Sequence, residues 1–316
     1  MTLTLSPVRA AGTGTARPRR NRTTLYVWLF LTPTVLLYGA FTVYPIISSY
    51  VYSLTDWNGF DEGARFIGLA NYQEVLADPM FWSSFGLTLT FMVIAVPLQV
   101  LTTLLLAILL NSPKMPLRNL FRTALFLPVV TTTAIVGVVM QFVFDPASGP
   151  VNLALRETGL VTEGVDFLGQ SSTALFTTIG VYVWKWAGIT LVYWLAALQT
   201  VPNEVYEAAR LDGAGAPALL RHITLPLLKP FLIIITLLSI EASLQVFDLV
   251  LTMTGGGPFY STEVIEVYIY RWAFAGTVPR LGYASAAAVL FGLFVCVIGL
   301  MQLLAVRATR RTRRAS

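Results

Sequence analysis

Six stretches of this chain, about 25–50, 83–110, 121–144, 173–198, 230–251 and 284–306, stay apolar for the roughly 20 residues a helix needs to cross a bilayer. In lipid a backbone N–H or C=O finds no water, so a spanning segment must satisfy its own polar groups, and a helix does so. The composition leaves little room for a soluble alternative. Of the 316 residues 56% are hydrophobic and 12% charged, where soluble domains carry about a quarter charged. The expected fold is an all-α integral membrane protein of six transmembrane helices. Pro33 and Pro45 mark the first span as the one open to kinking. Its apolar run, Leu25 to about Val51, is too long for the roughly 7–15 residues of a signal-peptide core, and no small-residue cleavage site closes it.

Charge orients the spans. Arg9, Arg17, Arg19, Arg20 and Arg22 lie before the first, and Arg307, Arg310, Arg311, Arg313 and Arg314 after the last. Lys114 and Arg118 lie in loop two, and Arg210, Arg221 and Lys229 in loop four. Loops one (51–82) and three (145–172) are acidic, with Asp56, Asp61, Glu62, Glu74 and Asp78 in one and Asp145, Glu157, Glu163 and Asp166 in the other. The positive-inside rule then puts both termini and loops two and four in the cytoplasm. Basic runs that flank spans read as topology signals and lipid-headgroup contacts, so the net charge of +5 does not point to nucleic acid. The expected organisation is a basic tail (1–24), one membrane domain (25–306) and a second basic tail (307–316).

Catalysis finds no support. One histidine and one cysteine leave no nucleophile–base pair and no metal cluster. Cys296, inside an apolar block, is expected to pack, and His222 reads as a surface residue near the membrane. The glycine-rich 252–262 stretch lacks the helix and lysine of a phosphate site and is expected to be a turn.

Loop four (199–229) is different. Asn203 is placed to cap a helix, with Glu204 and Glu207 near its positive end. Val205, Ala208 and Ala209 make one smooth face, and Gly213 stops the helix. A second short helix is expected from Pro217 to Ile223, ending at Pro226. Residues alone favour a plain interfacial helix pair over a docking element.

Glu207-Ala208-Ala209, three residues, Gly213, nine residues and Ile223-Thr224-Leu225-Pro226 together resemble the EAA motif of binding-protein-dependent ABC importer permeases. Pro202, Asp212-Gly213-Ala214, Thr254-Gly255-Gly256-Gly257-Pro258, Tyr268-Ile269-Tyr270, Ala273-Phe274 and 66–72 (FIGLANY) are similar to its carbohydrate-uptake (maltose/glycerol-3-phosphate-type) branch. The resemblance covers nearly the whole chain outside the tails. It implies a type I importer permease of the cytoplasmic membrane of a bacterium or archaeon. Loop four would hold the coupling helices, with Glu207, Ala208, Ala209, Asp212, Gly213, Ile223, Leu225 and Pro226 docking on an ATPase and Glu207 meeting a basic residue there. The implied partners are a second permease subunit, two cytoplasmic ATP-binding subunits and an extracellular or periplasmic solute-binding protein. ATP and Mg would be held by the ATPase, because no GxxxxGK[ST] sequence occurs in this chain and no cofactor is expected in it. The implied substrate is a mono- or oligosaccharide, with glycerol-3-phosphate or its diesters as the alternative. A secondary transporter or channel is the competing class, but it leaves loop four unexplained and calls for repeats that are not found here.

Charged residues inside spans are functional candidates because lipid tolerates them poorly. Lys185 lies mid-span between Trp184 and Trp186, near Tyr182 and Tyr193. On the fifth span Glu241, Gln245, Asp248 and Thr252 are spaced i, i+4, i+7 and i+11, one face of a continuous helix. Two readings stand. Lys185 and Glu241 form a buried structural pair, or Trp184, Lys185, Trp186, Glu241, Gln245 and Asp248 line a solute pathway. Gln99, Thr102 and Thr103 form a weaker stripe, because hydroxyls bond back to their own helix. Ser285, Gly292 and Gly299, seven apart, permit close helix approach, expected within the chain, with contact to a second permease subunit as the alternative.

Overall fold

The computed structural model describes residues 22–60, 64–112 and 115–315. Most of the first basic tail, with Asp61, Glu62 and Lys114, lies outside the described residues, as do the side chains of Arg310, Arg311, Arg313 and Arg314. The chain divides into two compact units, up to residue 48 and from 49 onward. The first unit holds α1 (Arg22–Tyr38), a wide π-helical turn at Gly39–Val43 and the start of α2 (Tyr44–Tyr52). In that turn Tyr44 N–H reaches back five residues to Gly39 O. The next residue is Pro45, whose missing N–H and bulky ring spoil the regular ladder, so the helix widens rather than breaks.

In the second unit α3 (Ala70–Ala77) leads into the 33-residue α4 (Pro79–Asn111), which is N-capped by Asp78 through its bond from Met80 N–H (2.8 Å). The 25-residue α8 (Ala174–Leu198) packs along α4. The two run parallel. Phe91 meets Tyr182 edge-on (ring centroids 5.2 Å apart), and further along both helices Trp194 Nε1–H donates to Val100 O (3.2 Å). Two parallel spans require the chain to return between them, and α5 (Arg118–Val130) with α6 (Thr133–Val143) does this. Arg122 donates to Leu110 O at the far end of α4, and Phe144 meets Phe167 just before α8 begins.

The expected single span over 121–144 is therefore broken. α5 and α6 are bent by 106° at Thr131 and Thr132. Among the described residues five helices are long and apolar enough to cross a membrane, and counting the bent pair as one broken span gives six. α5 approaches α8 at Gly188, where a Cβ would lie 2.5 Å from Leu125 O and 2.7 Å from Phe126 Cα, both backbone atoms. Gly180 on the same helix faces open space. Gly188→Ala is expected to lower stability by about 1–3 kcal/mol and Gly180→Ala to leave it nearly unchanged, read as thermal midpoints of the purified protein.

After α7 (Pro150–Glu157) and α8 comes the short α9 (Asn203–Leu211), then α10 (Ala216–Leu219), a π-helical turn at Leu220–Thr224 and α11 (Leu225–Ser243). No second short helix ends at Pro226. The helix runs on from Ala216 to Ser243 as one 28-residue candidate span. Pro226 widens the turn before it, with Leu225 N–H bonded to Leu220 O, as Pro45 does in the first span.

The fifth span differs from expectation at its other end as well. It stops at Ser243, and Leu244 and Gln245 close it with tight bonds to Glu241 O and Ala242 O. The chain restarts as α12 (Phe247–Met253). The side chain of Glu266, on α13 (Ile265–Tyr270), accepts from Phe247 N–H (2.8 Å) at the new helix start. α12 then packs against α6, where Thr252 fills the space left by Gly137 and Gln141 donates to Thr252 O (2.8 Å).

The last helix, α14, runs Leu281–Ala315. Gly292 and Gly299 have nothing within 4 Å of an added Cβ, so the expected close packing inside the chain is absent at these two positions. Cys296 is likewise exposed rather than packed.

Candidate functional site

Three places among the described residues of the second unit bear on function. The first is a clasp joining loop one to the segment before α14. Arg280 forms a bidentate pair with Glu74 (2.6 and 2.7 Å), and Tyr268 and Tyr283 both donate to Asp78 (2.6 and 3.0 Å). Arg280 holds the Glu74 carboxyl below its ordinary range by these hydrogen bonds. Burial works to raise Asp78, but the bonds from Tyr268, Met80 N–H and Tyr283 outweigh it and keep it low. Both groups are thus held ionised, and their contribution is lost only as the pH falls below about 4. Beside them Glu263, whose side chain is 2% exposed, takes two bonds from Arg271 (2.6 and 3.1 Å) and one from Ser84. Arg271→Met leaves that carboxylate buried and unpaired. A loss of about 3–5 kcal/mol is expected in denaturation of the purified protein.

Sequence reasoning missed this clasp. Loop one read as merely acidic, because its partners Tyr268, Arg280 and Tyr283 lie some 200 positions away. The only available signal was complementarity: Glu74 and Asp78 in one loop, Arg271 and Arg280 in the other. The glycine-rich stretch, read as a turn, is one. Gly255 and Gly256 adopt φ of +63° and +87°, and Thr254 and Thr262 bond across it (2.7 Å).

The second place is α9. Its N-cap is Pro202, not Asn203, which is the first helical residue and makes no side-chain cap. Its end is a Schellman motif. Gly213 N–H bonds to Arg210 O, Ala214 N–H reaches back to Ala209 O, and Gly213 sits at φ +84°. Tyr206 and Thr224 bond through their hydroxyls (3.1 Å) and tie α9 to the π turn. Glu207, Ala208, Arg210 and Asp212 are exposed, and Leu211 is 89% exposed. Of the other motif residues, Ala209 and Ile223 are half-buried, and Leu225 and Pro226 are exposed at the foot of α11. Leu211, one turn on from Ala208, was overlooked because the motif does not include it. His222 is exposed, with its Nδ1 3.1 Å from Ala218 O.

The third place is a cavity of about 310 Å³ between α4, α8 and α11. Gln99, Trp186, Thr190, Tyr193, Glu241 and Gln245 line it. Gln99 Nε2 donates to Thr190 Oγ1 (2.7 Å), and its buried Oε1 accepts from nothing in the protein. Thr102 and Thr103 bond back to their own helix, at Leu98 O and Gln99 O. The structure separates residues that the sequence grouped. Trp184 faces a different, apolar cavity of about 570 Å³ with Phe144, Phe176 and Val181. Asp248 is exposed on α12, beyond the break that ends the stripe. Lys185 does not meet Glu241. It is 1% exposed, donates to Thr131 O (3.0 Å) and Pro128 O (3.4 Å), and lies 4.4 Å from the centre of the Trp186 ring. These carbonyls lie at the end of α5; Pro128 O also accepts from Thr131 N–H (3.3 Å), whereas Thr131 O takes its donor from the lysine, which completes the bend.

Comparison with known proteins places this architecture. The family described as the inner membrane component of binding-protein-dependent transport systems matches residues 80–311. The lactose transport system permease protein LacF of Rhizobium radiobacter is 34% identical over 89% of this chain and 93% of its own. The arabinooligosaccharides transport system permease protein AraP of Halalkalibacterium halodurans is 32% identical over 87% of this chain and 86% of its own. A chain from the crystal structure of a bacterial ABC transporter involved in the import of the acidic polysaccharide alginate shares the fold. Its TM-score is 0.76 at 24% identity, over 91% of this chain and 96% of that one. With the family match over most of its length and the helices to cross a membrane several times, the chain belongs to the binding-protein-dependent transport system inner membrane components and is a multi-pass protein of the cytoplasmic membrane.

Proposed function

We propose that this chain is the permease subunit of an ATP-driven, binding-protein-dependent importer of a mono- or oligosaccharide. The cavity between α4, α8 and α11 carries the reading. A sugar presents C–H faces that stack on rings and hydroxyls that need partners. Trp186 and Tyr193 beside Gln99, Thr190, Glu241 and Gln245 offer both in one place. The relatives' names, which include lactose and arabinooligosaccharide transport, support the same class.

The chain hydrolyses no ATP itself. α9 is the docking element for a cytoplasmic ATPase, two of which serve this subunit and a second permease. Glu207 is offered to a basic residue of that ATPase, and Leu211 and Ala208 to an apolar groove. Closure of the ATPases draws the two permeases' docking helices together and opens the pathway outward to a docked solute-binding protein. Hydrolysis then reopens it inward. The experiment is ATP hydrolysis by the whole reconstituted complex, with its binding protein, against a panel of sugars and glycerophosphodiesters. Stimulation by a sugar alone is expected. Stimulation only by a phosphodiester, or uptake without ATP, overturns the reading.

A further inference from the structure

Kinship with other carbohydrate permeases leaves one property of the solute open: its charge. The wall of the cavity bears on it directly. Among the described residues Glu241 is the one charged residue that lines it, and it is exposed to the space. Lys185, next in sequence to Trp186, is not part of the wall. It is buried, its hydrogens are directed at Thr131 O and Pro128 O, and the Trp186 ring lies against it. Gln99 adds no charge to the wall: it is 2% exposed, its N–H₂ donates to Thr190, and its Oε1 is buried with no partner in the protein. The exposed carboxylate requires donors from whatever fills the space.

We propose that Glu241 is a specificity-determining residue that makes this pathway accept neutral, hydroxyl-rich sugars and reject anionic ones such as uronates and sugar or glycerol phosphates. The inference rests on the reading that this cavity carries the solute. A neutral sugar's hydroxyls donate to Glu241, and its ring lies on Trp186 or Tyr193. An anion in the same position meets the Glu241 carboxylate within a few ångströms. Like charges so placed repel strongly enough to cost an order of magnitude or more in affinity. Lys185 is the opposing influence, and if its field reached the solute past Trp186 the preference would reverse.

The test uses the assembled complex in nanodiscs without its solute-binding protein, so that the permease's own preference is read. Tryptophan fluorescence follows titration with a neutral disaccharide, lactose, and an anionic one, digalacturonate. Trp186→Phe identifies the signal that comes from the cavity. In the native complex lactose is expected to bind at least about tenfold more tightly than digalacturonate. Glu241→Gln is expected to bring that ratio to within about threefold, and Glu241→Asp to keep it. Equal or tighter binding of digalacturonate by the native complex, or a ratio untouched by Glu241→Gln, overturns the filter. If neither sugar gives a saturable change that depends on Trp186, the pathway reading itself fails and the filter falls with it.

Discussion

Gly213→Pro is expected to reduce solute-stimulated ATP hydrolysis and uptake by at least about tenfold while the protein still inserts and purifies normally. The turn after α9 needs a backbone at φ +84° and an N–H that bonds to Arg210 O. Proline fixes φ near −65° and has no N–H, so it removes both at once. The damage stays local. α9 lies outside the candidate spans, and its side-chain bond to the rest of the chain runs through Tyr206 and Thr224. Glu207→Lys is expected to uncouple for a different reason. Glu207 is exposed and forms no ion pair among the described residues, so reversing its charge leaves the fold intact and acts only on a partner. Thermal midpoints close to native in both variants, together with lost uptake, locate the defect at docking. Native uptake and stimulated hydrolysis in either variant would show that α9 does not transmit ATPase closure.

The contrast between what the residues foretold and what they hid follows from the range of each interaction. Span number came from hydropathy, a property of twenty consecutive residues, and α4, α8 and α14 stand close to where it put them. The end of α9 came from one glycine whose conformation is local. The two broken spans were hidden because their causes lie elsewhere in the chain. α5 ends where Lys185, more than fifty positions on, holds its last carbonyls, and α12 begins where Glu266 receives its first N–H. Hydropathy does not register a break that a neighbour satisfies. The same fact undid the polar stripe. Glu241 and Gln245 share the cavity, but the i+7 and i+11 positions, Asp248 and Thr252, presume a helix that stops at Ser243. The pairing of Lys185 with Glu241 was inferred from similar depth in adjacent spans, and depth says nothing about which way a side chain turns.

That correction carries the other large effect. Lys185→Glu with Glu241→Lys is expected to fail to recover either stability or uptake, because the two residues occupy different environments. Lys185→Glu alone turns a carboxylate toward Thr131 O and Pro128 O at a site 1% exposed. A buried charge stripped of its partners costs about 3–5 kcal/mol. Lys185→Met, which removes the charge but keeps the stem, leaves Thr131 O without its donor, while Pro128 O keeps the N–H of Thr131, and is expected to cost about 1–3 kcal/mol. Glu241→Lys alone stands in the cavity, so its stability is expected to stay near native while sugar-stimulated hydrolysis falls. The cycle of two single variants and the double one therefore separates along two readouts: thermal midpoint follows position 185, and solute response follows position 241. Additive losses of stability indicate two independent sites. Recovery of both midpoint and uptake in the double variant would mean that the two charges meet during transport, in a conformation where Lys185 has left the bend of α5, and the assignment of this lysine to the broken helix would then be wrong.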